Sequence, residues 1–313
     1  MKILITGGCG HIGSKLIRKL PPQHNIIVVD NMLTQRYCSL FKTDRKIKFY
    51  EMDAVDFDFI EEPIDMVIHL AAITDAAGSF KSKEQLEEVN VLQTKKFIDK
   101  CNLHGVKKFI FPSSTSVYGV AAKLVDEDTP EFVNPQSPYA ESKIEIENYL
   151  KDLSGSMDWV VFRFGTIFGT SPGMRFHTAI NKFCWQAING LPLTVWKDNF
   201  YQFRPYLDIN DAIKAVDMFV SMPNGIHWNT VYNVLTDNYR LADIVNLIKS
   251  YTDFVDVKFV NTPLLNQHTY KVDDSKIKRI GFMPQGDIKH AISKTFDLMW
   301  GITRNEKNWD RSL

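Results

Sequence analysis

An α/β fold, in which a doubly wound parallel sheet carries a smaller C-terminal α/β lobe, is predicted from three features of the sequence. Short apolar runs of strand length alternate with longer helical patterns through the first half. The first of those runs passes directly into a glycine-rich turn at the mouth of a helix. Beyond Gly169 the texture changes to shorter strands and helices, with no repeat, low-complexity tract or long linker in between.

Taken in order, "KILIT" (Lys2 to Thr6), "IIVVD" (Ile26 to Asp30), "IKFYEMD" (Ile47 to Asp53), "DMVIHLAA" (Asp65 to Ala72), "KKFIFPSS" (Lys107 to Ser114) and "WVVFRF" (Trp159 to Phe164) read as six strands with helices between them. Pro21 and Pro22 stop the first helix. Ser137 supplies an N-cap for the helix before the sixth strand, with Pro138 at its first position, where a missing N–H costs nothing. After Gly169, "MRFHTAINKFCWQAI" reads as a helix, "LTVW" and "RPYLDI" as short strands, and "INDAIKAVDMFV" as another helix. The expected division is 1–168 for the sheet domain and 169–313 mainly for the smaller lobe, with some later segments returning to the sheet.

The 313 residues, 44% hydrophobic and 24% charged, suffice for an ordered enzyme with a substantial core. Lys plus Arg and Asp plus Glu both number 37, so no general cationic field attracts nucleic acid or an anionic membrane, and an anionic ligand needs a local positive pocket. Cys9, Cys38, Cys101 and Cys184 are scattered without metal-ligand or redox spacing, which points to a reducing compartment and no structural disulfide. The opening "MKILITGG" is too short an apolar run for a signal peptide, and no later stretch reaches membrane length. A cytoplasmic protein is expected.

"ITGGCGHIG" places Gly7, Gly10 and Gly13 three apart between a strand and a helix, where glycines permit a sharp turn and let backbone N–H groups approach a pyrophosphate. The next strand ends in Asp30, near the offset at which a carboxylate accepts adenosine ribose hydroxyls and repels the extra phosphate of NADP. A Rossmann-type site for NAD is the prediction, with Arg36 the nearby cation that argues for NADP. Asp53, closing the third strand, is equally an adenine acceptor or a turn aspartate.

Ligands of a doubly wound sheet collect beyond the carboxyl ends of the strands, and "FIFPSSTSVYG" puts Ser113, Ser114 and Thr115 at such an end. Tyr139 and Lys143, four apart in "YAESK", share one helical face. A nearby ammonium and an oxidised nicotinamide both favour phenolate, so Tyr139 is expected to accept a substrate hydroxyl proton, with a serine hydroxyl orienting the same oxygen. His11 and His69 belong to no metal-ligand pattern, so polar packing and no metal site are expected.

"TGGCGHIG", Asp30, Asp53, "HLAA", "SSTSVYG", "YAESK", "RFGTIFG" and "RPYLDINDA" together resemble the extended short-chain dehydrogenase/reductase family, in its NAD-dependent nucleotide-sugar epimerase/dehydratase branch and within it the UDP-glucose 4-epimerases. The resemblance implies that Gly7, Gly10, Gly13 and Asp30 hold NAD and that Asp53 meets the adenine. It further implies that Lys143 meets the nicotinamide ribose, and that His11, Ile12, Asn31, Ala54, Leu70, Ala71, Ala72 and Asn90 complete the cofactor wall. Tyr139, Lys143 and Ser114 would be catalytic, and Ser114, Thr115, Tyr139, Asn181 and Arg204 would contact a nucleotide-diphosphate sugar.

Dehydratases of the branch carry an Asp-Glu pair just before "VYG", where this chain has Thr115 and Ser116. The resemblance therefore implies an epimerase working through a transient 4-keto sugar. A 4-ketosugar reductase or dehydrogenase, a dehydratase and a non-catalytic dinucleotide sensor are the alternatives. A homodimer built on the helix around "VNVLQTKKFIDKC" and the helix bearing Tyr139 is implied as well.

Overall fold

The computed structural model describes residues 1–74, 80, 82–119, 124–252, 255–261 and 270–302. The first half contains β1 (Lys2–Thr6), α1 (His11–Lys19), β2 (Asn25–Asp30), β3 (Ile47–Glu51), β4 (Met66–His69), α2 (Thr94–Leu103), β5 (Lys108–Ser114), α3 (Pro138–Lys151) and β6 (Asp158–Phe164). Then come β7 (Thr166–Phe168), α4 (Ala179–Ile188), β8 (Leu193–Trp196), β9 (Phe203–Asp208), α5 (Ile209–Ser221), β10 (Thr230–Val234) and β11 (Asp237–Arg240).

Seven strands form one sheet in the order β10-β6-β5-β4-β1-β2-β3, every pair parallel. The order reverses between β1 and β4, which opens a crevice at their carboxyl ends. The mixed α/β fold with its large parallel sheet is thus the predicted one. β10 joins this sheet from late in the chain, in register with β6 from Thr230 opposite Val160 to Val234 opposite Phe164. β4 ends at His69 rather than the predicted Ala72, because the Ala71 N–H turns to the Thr6 hydroxyl (3.3 Å).

Alternation along the strands feeds two cores. Ile3, Ile5 and Val28 face the helices α1 and α5, meeting Leu16, Ile17, Val216 and Phe219. Leu4, Ile27 and Val67 point the other way, onto Phe97, Ile98, Ile146 and Leu150 of α2 and α3. A three-stranded sheet, β11-β9-β7, and the helix α4 build a third core around Phe168, Phe183, Val195 and Ile244. Among the described residues no helix is long and apolar enough to cross a membrane. All four cysteines are free thiols, with Cys38 alone exposed.

Candidate active site

A cavity of about 1010 Å³ lies over the carboxyl ends of β1, β2, β4 and β5 and is walled on its other side by residues of the C-terminal half. Gly7, Gly10, His11, Ile12 and Gly13 form its floor. Gly7 sits at φ +64°, and a Cβ there would lie 2.6 Å from the Ala71 nitrogen; one on Gly13 would lie 2.5 Å from the Gly8 Cα. Only glycine lets this turn close so tightly. Gly10 caps α1 without a side-chain bond, so the first N–H groups of the helix keep donors for an anion.

Asp30 is fixed by two backbone donors, Cys9 N–H to one oxygen and Met32 N–H to the other, each at 2.9 Å. Asn31 donates to Asp53 (2.7 Å), so the two residues act as a pair at the β2 and β3 ends. Ala54, Leu70, Ala71 and Ala72 also line the cavity. A close-packed glycine turn, orphan donors at a helix start and a held carboxylate at the next strand end together fit a dinucleotide.

His69, in this wall, is buried, and both ring nitrogens meet threonine hydroxyls. Thr94 gives its hydroxyl proton to the Val89 carbonyl (3.2 Å), so its oxygen accepts from His69 Nε2–H (3.3 Å). Thr6 takes the Ala71 N–H and donates to Nδ1 (2.8 Å). Burial, and then Lys143, lower its pKa to about 3 and favour this neutral form. His11 is likewise held neutral by burial and nearby cations, Arg175 first, with Nδ1 2.7 Å from the Ser171 hydroxyl. No group of His, Cys, Asp and Glu suited to a metal occurs among the described residues.

The reacting end is assembled from β5 and α3. Ser137 caps α3 by accepting the Ala140 N–H (3.2 Å), with Pro138 at the first position as predicted. Ser114, Ser116, Tyr139 and Lys143 all line the cavity. Tyr139 departs from expectation: burial raises its pKa, and the groups opposing that rise are Arg175, by charge, and Ser114, by a hydrogen bond. Lys143 points its ammonium elsewhere, donating to the Pro112 carbonyl (2.9 Å) at 4.5 Å from the Phe111 ring centroid and 5.7 Å from that of Tyr139. Its own pKa is lowered to about 8 by burial, opposed by Glu147.

Three of the expected contact residues lie outside the cavity lining. Asn90, on a π-helical segment (Glu88–Gln93), spends its amide on both backbone groups of Ile73, at 2.8 and 2.9 Å, and does not line the cavity. It braces the segment at Ile73. Thr115 turns away, its hydroxyl on the Phe164 carbonyl (3.3 Å) and its own carbonyl under the Tyr270 hydroxyl. Asn181 is fully buried and holds the loop after β7, accepting from Gly169 N–H (3.2 Å) and donating to the Arg175 carbonyl (3.0 Å).

Arg175 is the residue that sequence reasoning missed. Its loop docks on the glycine turn, where the Ser14 hydroxyl accepts the Gly173 N–H (2.9 Å) and His11 meets Ser171. Its guanidinium reaches the Thr74 hydroxyl. The signal was an arginine at the close of a stretch containing Gly169, Ser171, Pro172 and Gly173, a composition that marks a shaped loop beyond a strand end. Arg204 lines the cavity, stacked 4.9 Å above the Tyr270 ring, and Lys182 joins it from α4.

The sequence model described as the NAD dependent epimerase/dehydratase family matches residues 3–234. A dTDP-D-glucose 4,6-dehydratase of Dictyostelium discoideum is 28% identical over 373 residues, covering 98% of this chain and 82% of the relative. A trifunctional UDP-glucose 4,6-dehydratase/UDP-4-keto-6-deoxy-D-glucose 3,5-epimerase/UDP-4-keto-L-rhamnose-reductase of Arabidopsis thaliana is 26% identical; 98% of this chain matches 48% of that protein, so the chain spans about half its length. Among solved structures, the UDP-glucuronic acid 4-epimerase of Bacillus cereus, in complex with UDP-glucuronic acid and NAD, is similar with a TM-score of 0.82 and 26% identity. That likeness covers 95% of this chain and 98% of the other.

Proposed function

The chain belongs to the NAD-dependent epimerase/dehydratase family, and from that premise we propose that it is a nucleotide-sugar 4-epimerase acting through a transient 4-keto sugar. Its cofactor is NAD. The observation that carries the choice of epimerase is the pair Thr115 and Ser116. Neither hydroxyl is acidic enough to replace the Asp-Glu pair that water elimination uses in the dehydratases this chain resembles. Among the described residues the carboxylates lining the cavity are Asp30 and Asp53, at the β2 and β3 ends and not beside Tyr139.

Bound NAD supplies reversible hydride acceptance at the sugar carbon, so the net redox change is zero. Tyr139 takes the proton of the sugar hydroxyl and returns it. Ser114 orients the phenolic oxygen, and the Arg175 charge stabilises the phenolate against its burial. Arg204, a planar donor fixed over Tyr270, suits the diphosphate, and Lys182 adds a second cation. In this reading 1–168 hold the dinucleotide, 169–313 mainly hold the sugar nucleotide, and two copies pair through α2, its preceding turn with the exposed Leu92, and α3.

The test is incubation with a panel of nucleotide sugars, following isomers by mass spectrometry and NMR in solvent deuterium. Isomer formation without label uptake is expected, and Tyr139→Phe abolishes it while NAD binding persists. Steady consumption of NADH instead identifies a reductase, and water loss identifies a dehydratase; either result overturns the proposal.

A further inference from the structure

The helix α3 carries a third polar group in line with Tyr139 and Lys143. Glu147 is four residues beyond the lysine, on the same face. It is fully buried, and Arg163, 2% exposed, grips it through Nη2 (2.7 Å) and Nε (3.2 Å to each oxygen). Ser113 donates to it at 2.5 Å. Arg163 is held in turn by the Tyr118 hydroxyl (3.0 Å), which donates to Asn233 (2.7 Å). The donors to Glu147 come from two strands, Ser113 of β5 and Arg163 of β6, and β10 is tied in through Tyr118 and Asn233.

We propose that Glu147 is a positioning residue of the active site: held by Arg163 and Ser113, it keeps Lys143 charged and seated on the Pro112 carbonyl beside Tyr139. The inference rests on the reading of Tyr139 and Lys143 given above. Around the lysine lie Tyr139 and Glu147 from its own helix, the Pro112 carbonyl and Phe111 ring from β5, and neutral His69 from β4. Burial drives Lys143 toward the neutral amine, and Glu147 is the charge that opposes this. Without it, a substantial part of the lysine population loses its proton at neutral pH, and the cavity loses a cation.

The experiment reads Lys143 itself rather than turnover, so a failure of the epimerase assignment leaves it intact. Lysine labelled with ¹³C at Cε is titrated by NMR in the NAD-loaded protein, with Lys143→Gln identifying the signal. Glu147→Gln is expected to move the Lys143 midpoint to lower pH by about one unit. Because an unpaired Arg163 can unfold that variant, Glu147→Gln combined with Arg163→Gln is titrated too; the lost carboxylate lowers the midpoint and the lost guanidinium offsets part of it, so a smaller downward shift is expected. Glu147→Asp keeps the ion pair with a shorter reach, and a smaller shift is expected. An unmoved midpoint in Glu147→Gln, or in the double variant where the single one does not fold, overturns the proposal.

Discussion

Acid should attack this protein through a buried histidine of β4. The unfolded chain protonates His69 near its ordinary value of about 6.5, whereas burial keeps the folded imidazole neutral down to about 3. Between those values the unfolded state binds the extra proton, so stability falls as pH falls from 6.5 toward 3. At pH 5 the difference is about 1.5 pH units at ~1.36 kcal/mol each, or about 2 kcal/mol.

Urea unfolding of the wild type and His69→Gln at about pH 7.5 and about pH 5 isolates this contribution. His11, also held near 3, and the carboxyls that burial raises, such as Asp208 and Glu127, are present in both proteins and cancel. Between the two pH values the wild type should lose about 2 kcal/mol more than the variant. Equal losses would show that the folded imidazole already carries a proton, and the tautomer derived from Thr6 and Thr94 would be wrong.

Two further outcomes follow from the same geometry. Gly13→Ala, whose Cβ would meet the Gly8 Cα at 2.5 Å, should weaken NAD binding at least about tenfold by calorimetry while the far-ultraviolet circular dichroism stays native. Arg175→Gln removes the charge that opposes the burial of Tyr139, so the tyrosine should titrate at higher pH by ultraviolet difference spectroscopy against a Tyr139→Phe background; an unchanged or lower midpoint refutes the pairing.

Backbone chemistry explains what the sequence disclosed. Alternating apolar runs specified the six strands from β1 to β6, and glycine spacing specified the turn, because both depend on local geometry. Thr230–Val234 escaped because a short strand late in the chain shows its place only when β6 offers an edge. Asn90, Thr115 and Asn181 sit at the expected positions along the chain, yet which way a side chain points was decided by nearby backbone groups: those of Ile73, Phe164, Gly169 and Arg175. Arg175 reached the site through a loop whose path depends on contacts with Ser14 and His11, and no periodicity encodes that path.

The four-residue spacing of Tyr139 and Lys143 shows what such patterns settle and what they leave to packing. Spacing places both side chains on one face of α3, but a buried ammonium needs an acceptor, and Lys143 donates to the Pro112 carbonyl. The tyrosine and the lysine consequently answer to different partners. Arg175, arriving from the loop after β7, opposes the burial of the phenol, while Glu147, one turn farther along α3, opposes the burial of the ammonium. Replacing Glu147 should therefore disturb Lys143 well before Tyr139, and replacing Arg175 should do the reverse. A single Tyr–Lys unit predicts instead that both groups shift together in either variant.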